Sequence, residues 1–278
     1  MILQKNIEII EFSDISFSRK TQLGKGGAGR VYLGKYLSSE VAIKEYYTYN
    51  LYDDFENEDT KDLLVEIVNA LSLNIPKVNR CYGVSINEKE GLVYTVHELA
   101  FGNLKKKLQE KLPIETKHEI TKQILEIMMH LYKKKIVHRD IKPENFLITK
   151  NGEVQIADFG TIRKMQNNET KTLNAAYTVR YAPPEFILGT NFAGFYSDVW
   201  SIGLVLFQIY YGVDFWKGYA EKDIEESIKG KKIPSFEYCK DVPKEITDII
   251  KEAVVLDEKA RISIVEIQKR FEKIINKK

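Results

Sequence analysis

Cysteine is nearly absent. The 278 residues hold two, Cys81 and Cys239, far apart in the chain. That spacing excludes a disulfide framework and offers no metal-ligand pattern, and it leads us to expect a reducing, cytoplasmic setting. An excess of charge is also missing. Forty-two basic side chains face 40 acidic ones for a net charge of +2, so bulk charge argues for neither a nucleic-acid partner nor a membrane surface. No apolar run is long enough to cross a bilayer, which needs roughly 20 residues. The densest uncharged stretch, Val199 to Val213, is shorter and carries Ser201, Gln208 and two glycines, so it reads as a buried helix. The opening MILQKNIEIIEF lacks the apolar centre of a secretory leader, neither end shows a lipidation motif, and there are no internal repeats or low-complexity linkers.

What is present is an ordinary globular composition, 44% apolar and 29% charged, long enough for one large domain or two modest lobes. Residues 1–18 read as a lead-in, with Ile7, Ile9 and Phe12 hinting at an extended segment. From Thr21 the texture is β, with Val31, Leu33, Val41 and Ile43 at alternating positions. Over 53–73 the period changes: Leu63, Leu64, Ile67, Val68 and Leu71 form one helical stripe. Strands are expected near 78–86 and 91–97. Beyond Phe101-Gly102-Asn103 the pattern is mainly helical, over 117–135, 197–211, 221–229, 243–255 and 263–275. A strand-rich front third thus joins a helix-rich remainder near 98–103.

Two clusters carry chemistry. His138-Arg139-Asp140-Ile141-Lys142-Pro143-Glu144-Asn145 is followed by Asp158-Phe159-Gly160. This ordered set supplies a carboxylate to orient a hydroxyl, a cation for phosphate, and oxygen ligands for magnesium, which is what phosphoryl transfer requires. Upstream, Leu23-Gly24-Lys25-Gly26-Gly27-Ala28-Gly29-Arg30-Val31 fits G-x-G-x-x-G-x-V, a loop whose backbone N–H groups can approach phosphate oxygens. A dinucleotide fold would need a helix straight after these glycines, but Val31-Tyr32-Leu33 continues as strand. Val41-Ala42-Ile43-Lys44 then ends an apolar strand on a lysine, and Glu66 on the amphipathic helix is the candidate carboxylate to hold it.

With these motifs in this order, the chain resembles the protein kinase family from about residue 19 to 272. The resemblance implies an α+β bilobal fold: a small β-rich N-lobe with one main helix over about 19–97, a hinge at 98–103, and a larger, mostly helical C-lobe over 104–278. It implies ATP and Mg2+ as cofactors and a protein as substrate. Asp140 is then the base or orienting carboxylate, Lys142 neutralises the migrating phosphoryl group, and Asn145 and Asp158 bind magnesium. Lys44, held by Glu66, meets the α- and β-phosphates. The glycine loop Leu23, Gly24, Lys25, Gly26, Gly27, Ala28, Gly29, Arg30 and Val31 covers the nucleotide. Val31 and Ala42 lie above the adenine and Leu147 below, with Glu98 and Ala100 offering backbone bonds. His138 is a packing residue. Asp198 braces the catalytic loop and Arg261 pairs with Glu185. Lys142 and Thr178 match the serine/threonine type, with dual specificity left open and a closest likeness to the tyrosine-kinase-like group. A nucleotide-holding pseudokinase scaffold and a small-molecule kinase are the rival readings.

Three residues depart from the pattern. Ala28 replaces an aromatic at the loop tip, His97 stands just before hinge residue Glu98, and Ala70 is small for its place one turn after Glu66. His97 is expected to fill space that Ala70 leaves open. Arg139 is the candidate receiver of a phosphate on Thr170 or Thr172, from an upstream activator or by autophosphorylation. The tyrosine-rich Glu45-Tyr46-Tyr47-Thr48-Tyr49-Asn50-Leu51-Tyr52 reads as a strand end plus loop.

Overall fold

The structure, a computed structural model, describes residues 8–26, 29–46, 58–73, 75–165, 170–171, 177–190 and 192–276. Gly27, Ala28, Tyr47 to Tyr52 and Thr172 lie outside the described residues, as does the expected start of the first helix at 53–57. The chain divides into two compact units. The first is Met1–Phe101 with Leu147–Gly160, the second Gly102–Phe146 with Thr161–Lys278. The first is β-rich with one main helix and the second mostly helical, the α+β arrangement expected.

In the first unit, strands β1 (Ile15–Lys25), β2 (Gly29–Tyr36), β3 (Ser39–Tyr46), β4 (Cys81–Asn87) and β5 (Leu92–Glu98) form an antiparallel sheet in the order β1-β2-β3-β5-β4. β1 begins inside the stretch read as a lead-in, and its pairing with β2 slips between Phe17 and Gln22. Because side chains alternate across a strand, the sheet buries two apolar faces. Val41, Ile43, Tyr94 and Val96 pack with Ile10 and Ile15 on one. Tyr46 and Val93 pack with Ile67 of helix α1 (Glu58–Ser72) on the other. This parity fixes which residues face α1: Lys44 and Tyr46 from β3, Thr95 and His97 from β5. Glu45 and Tyr94 face the opposite way. Gly29 matters at a point of close approach, since a Cβ there would sit 2.0 Å from the Glu45 carbonyl oxygen on the paired strand.

The second unit is built on α2 (Ile114–Lys133), α3 (Phe195–Tyr211), α4 (Glu221–Lys229), α5 (Lys244–Ala253) and α6 (Ile264–Ile275). Thirteen of the 17 residues of α3 are buried, which explains why its part of the Val199 to Val213 stretch carries no charge and is mostly apolar. Gly212 ends α3 in the left-handed region at φ 71°. α2 packs against α6, and α3 against α5. His130 and Lys133 stand at the C-terminal end of α2, where the helix dipole favours cations.

Candidate active site

In the first unit, the Lys44 ammonium pairs with Glu66 Oε1 and lies 3.7 Å from Asp158 Oδ1. Lys44 reaches this point because β3 turns its even-numbered side chains toward α1. Glu66, buried on the inner stripe of α1, receives it. Burial opposes the ammonium charge, but the Asp158 and Glu66 carboxylates outweigh it and hold the Lys44 pKa above its ordinary value. Asp158 takes a positive φ of 66°, an uncommon backbone state for a residue with a Cβ and typical of positions fixed for function. Gly160 lets α1 come close, since a Cβ there would meet Glu66 Oε2 at 2.9 Å. Asn69 Nδ2 also donates to the Phe159 carbonyl at 3.1 Å, tying α1 to the Asp158-Phe159-Gly160 segment.

The other residues of this unit expected at the nucleotide follow from strand register. Val31 pairs with Lys44 and Leu33 with Ala42, while Ala42 also opposes His97. Leu23, Gly24 and Lys25 lie on β1, Arg30 and Val31 on β2, and the Gly26 N–H donates to the Gly29 carbonyl at 2.9 Å across the loop. The Glu98 N–H donates to the Arg80 carbonyl at 2.9 Å, and its own carbonyl accepts Asn79 Nδ2 at 3.1 Å. One lone pair of that carbonyl is thus already engaged. Ala100 follows β5, and Leu147 is half-buried. Ala70 lines a cavity of about 440 Å3 with Leu71, Leu73, Ile75 and Cys81, and His97 is not among the described residues that line it. His97 turns its Nε2 to Thr95 Oγ1 at 2.8 Å.

In the second unit, Asp140 is the hub. Its Oδ2 accepts Lys142 Nζ at 2.6 Å and Asn145 Nδ2 at 3.1 Å, and its Oδ1 accepts the Thr178 hydroxyl at 3.2 Å. Lys142 Nζ also donates to Thr178 Oγ1 at 2.8 Å, and Asn145 Nδ2 to the Asp140 carbonyl at 2.8 Å. An amide that commits Nδ2 in this way keeps Oδ1, its one acceptor oxygen, for a hard cation. Among the described residues no cluster of three or more His, Cys, Asp or Glu could cage a metal. Magnesium is commonly held through one or two protein oxygens plus substrate phosphates and water. Asn145 belongs to the second unit and Asp158 to the first.

The loop carrying Asp140 is fixed from α3. Asp198 is buried in its first turn and accepts the His138 and Arg139 N–H groups at 2.8 Å each. Burial holds the Asp198 carboxyl above its ordinary range, against the lowering effect of these two bonds and the Arg139 guanidinium. Arg139 sits at φ 73°, buried over the Phe186 ring at 5.9 Å. His138 is fully buried, and its carbonyl accepts the Thr161 hydroxyl at 2.7 Å. Glu185 and Arg261 form a two-pronged pair at 2.9 and 2.8 Å. The Thr170 backbone pairs with Ala193.

Sequence reasoning missed two groups. On the outer sheet face the buried Glu45 carboxylate accepts Arg19 Nε at 3.1 Å, Arg19 Nη2 at 3.0 Å, the Tyr32 hydroxyl at 3.2 Å and the Tyr94 hydroxyl at 3.3 Å. On the inner face Tyr46, Thr95 and His97 form a polar chain ending on Glu66. The signal available was polar residues at period-two positions in strands that are otherwise apolar.

The protein kinase domain profile matches residues 17–271, and the chain belongs to the protein kinase domain family. Such domains work with ATP and Mg2+ in general. The chain is 29% identical to a probable serine/threonine-protein kinase, kinX, of Dictyostelium discoideum over 95% of its own length and 24% of that protein. It is 30% identical to an Aurora kinase of Debaryomyces hansenii over 88% of this chain and 59% of the relative. Against the Aurora/IPL1-related protein kinase 2 of Caenorhabditis elegans identity is 27%, over 94% of this chain and 84% of the relative. It spans between a quarter and three fifths of the first two of these proteins. No helix among the described residues is long and apolar enough to cross a membrane.

Proposed function

We propose that this domain transfers the γ-phosphoryl group of ATP to serine or threonine hydroxyls of proteins. The observation that carries the reading is the Asp140 cluster, in which carboxylate, ammonium, amide and the Thr178 hydroxyl share one hydrogen-bonded network. Asp140 orients the substrate hydroxyl and accepts its proton as the new P–O bond forms and the bond from the γ-phosphorus to the bridging oxygen breaks, releasing ADP. Lys142 sits beside Asp140, where it offsets charge on the migrating phosphoryl group. Lys44, clamped by Glu66, positions the nucleotide phosphates. Asn145 Oδ1 and the Asp158 carboxylate are each oxygen donors of the kind that would hold Mg2+, which would supply charge to offset the phosphates. A scaffold that only holds nucleotide would tolerate loss of any of these groups, and all are present. Ala100 and Glu98 supply backbone bonds to the adenine, between Val31 and Ala42 on one side and Leu147 on the other.

Serine/threonine acceptors fit the relatives' printed names and the Lys142–Thr178 contact. The free thiols Cys81 and Cys239 support a reducing, cytoplasmic setting. Control through Arg139 and a phosphate on Thr170 or Thr172 completes the reading, and a Thr170→Ala/Thr172→Ala variant that still gains activity on preincubation with ATP counts against it. The central test is incubation with γ-labelled ATP, Mg2+ and a generic basic protein. The reading expects label on the protein and its loss in Asp140→Asn. Equal labelling by both forms refutes it.

A further inference from the structure

The inner face of the sheet buries an unbroken polar chain. The Tyr46 hydroxyl lies 3.0 Å from Glu66 Oε1 and 3.2 Å from Thr95 Oγ1, and Thr95 Oγ1 lies 2.8 Å from His97 Nε2. Tyr46 and Thr95 are both fully buried, at 2% and 0% exposure. The Tyr46 ring packs with Ile67 and Val93, work that a phenylalanine would do as well. A buried hydroxyl is unfavourable unless it is hydrogen-bonded, so the hydroxyls have to be explained by what they hold.

The direction of the chain follows from its end. The Glu66 carboxylate only accepts, so the single Tyr46 hydroxyl proton goes to Glu66. The Tyr46 oxygen must then accept from Thr95, and Thr95 Oγ1 accepts His97 Nε2–H. Burial and the nearby Lys44 charge hold the His97 pKa down at about 3, so the ring is neutral and its proton resides on Nε2. Glu66 thus has two donors on Oε1, the Lys44 ammonium and Tyr46. The Lys44 nitrogen also sits 5.0 Å from the Tyr46 ring centroid.

We propose that Tyr46 is a positioning residue of the transfer reaction, holding Glu66 in the orientation that delivers Lys44 to the nucleotide phosphates, with Thr95 and His97 fixing the direction of its proton. This rests on the kinase reading above. Glu66 projects from a helix, and Lys44 from a strand on a flexible stem. The Tyr46 hydroxyl ties the carboxylate back to the strand that carries the lysine, so helix and strand share one anchor two residues from Lys44.

The test is Tyr46→Phe, with Thr95→Val as a second isosteric variant should the first fold poorly. A charge-assisted bond to Glu66 is lost, and the expected result is about a tenfold fall in kcat/KM for ATP with KM for the protein substrate unchanged. In a Glu66→Ala background the same change costs nothing further. The chain has four histidines, so the His97 15N signals can be assigned. In Tyr46→Phe the Thr95 hydroxyl loses its acceptor and donates to His97 Nε2, moving the ring proton to Nδ1. A Tyr46→Phe enzyme within about twofold of the parent, an equal fall in the Glu66→Ala background, or an unmoved His97 tautomer overturns the proposal. The ATP dissociation constant, measured by displacement of a fluorescent analogue, rises at least about threefold in Tyr46→Phe. That readout needs no transfer. A parent chain that moves no phosphate refutes the functional reading, while the ratio of dissociation constants still decides the role of Tyr46.

Discussion

Replacing Arg261 by methionine probes the most buried ion pair of the second unit. The side chains of Arg261 and Glu185 are 0% and 2% exposed, and the guanidinium spends both prongs on the carboxylate. Its three remaining donors bond the Val255, Tyr196 and Leu256 carbonyls at 2.8, 2.9 and 3.4 Å. Arg261→Met leaves the Glu185 charge buried without its partner, a loss of about 3–5 kcal/mol. The double variant Glu185→Leu/Arg261→Met removes both charges and leaves only the unpaired carbonyls, at about 1 kcal/mol each. The double change should therefore be less damaging than Arg261→Met alone. Both tryptophans, Trp200 and Trp216, are buried in this unit, and Arg261 lies 5.2 Å over the Trp200 ring. Urea unfolding followed by tryptophan fluorescence thus reports on the right part of the chain. If Arg261→Met proves no less stable than the double variant, an unpaired buried carboxylate is not what this site penalises, and the reasoning fails.

Gly29→Ala places a Cβ against the Glu45 carbonyl and forces β2 from β3. We expect about 2 kcal/mol or more of destabilisation and weaker nucleotide binding, read by thermal unfolding and by displacement of a fluorescent ATP analogue. Asp198→Asn turns an amide N–H2 toward one of two backbone donors, and should cost about 1–3 kcal/mol and lower kcat more than KM in steady-state assays. His97 gives stability a pH dependence of defined sign. Below its ordinary pKa of 6.5 the unfolded chain takes up a proton that the folded chain refuses down to about 3, so stability falls as pH drops through that window. The loss is about 1.4 kcal/mol at roughly pH 5.5 relative to neutral and above. A pH series of urea midpoints should lose that component in His97→Gln, and an unchanged slope counts against it.

The motifs that carry the chemistry were readable because each is local. Lys44 follows the apolar Val41-Ala42-Ile43 run, Glu66 sits on a striped helix, and the residues from His138 to Asn145 lie within a single loop; β3 itself runs on to Tyr46. The alternation of Val41 and Ile43 follows from burial on one face, and the uncharged, mostly apolar run from Val199 to Tyr210 from burial of α3 on nearly every face. The groups that escaped are those set by register between distant strands. Tyr46 meets Thr95 across 49 residues, and Arg19 meets Glu45 across 26. Neither contact has a sequence period, so Glu45 and Tyr46 alike read only as a strand end leading into a loop. The start of β1 at Ile15 was hidden for a similar reason, because the Phe17–Gln22 slip breaks the alternation that marks a strand.

Phosphoamino-acid analysis of a substrate labelled from γ-labelled ATP tests the account most directly. It predicts label on phosphoserine and phosphothreonine with the parent chain, and a fall of about a thousandfold or more with Asp140→Asn. Label confined to phosphotyrosine, or undiminished by Asp140→Asn, would contradict it.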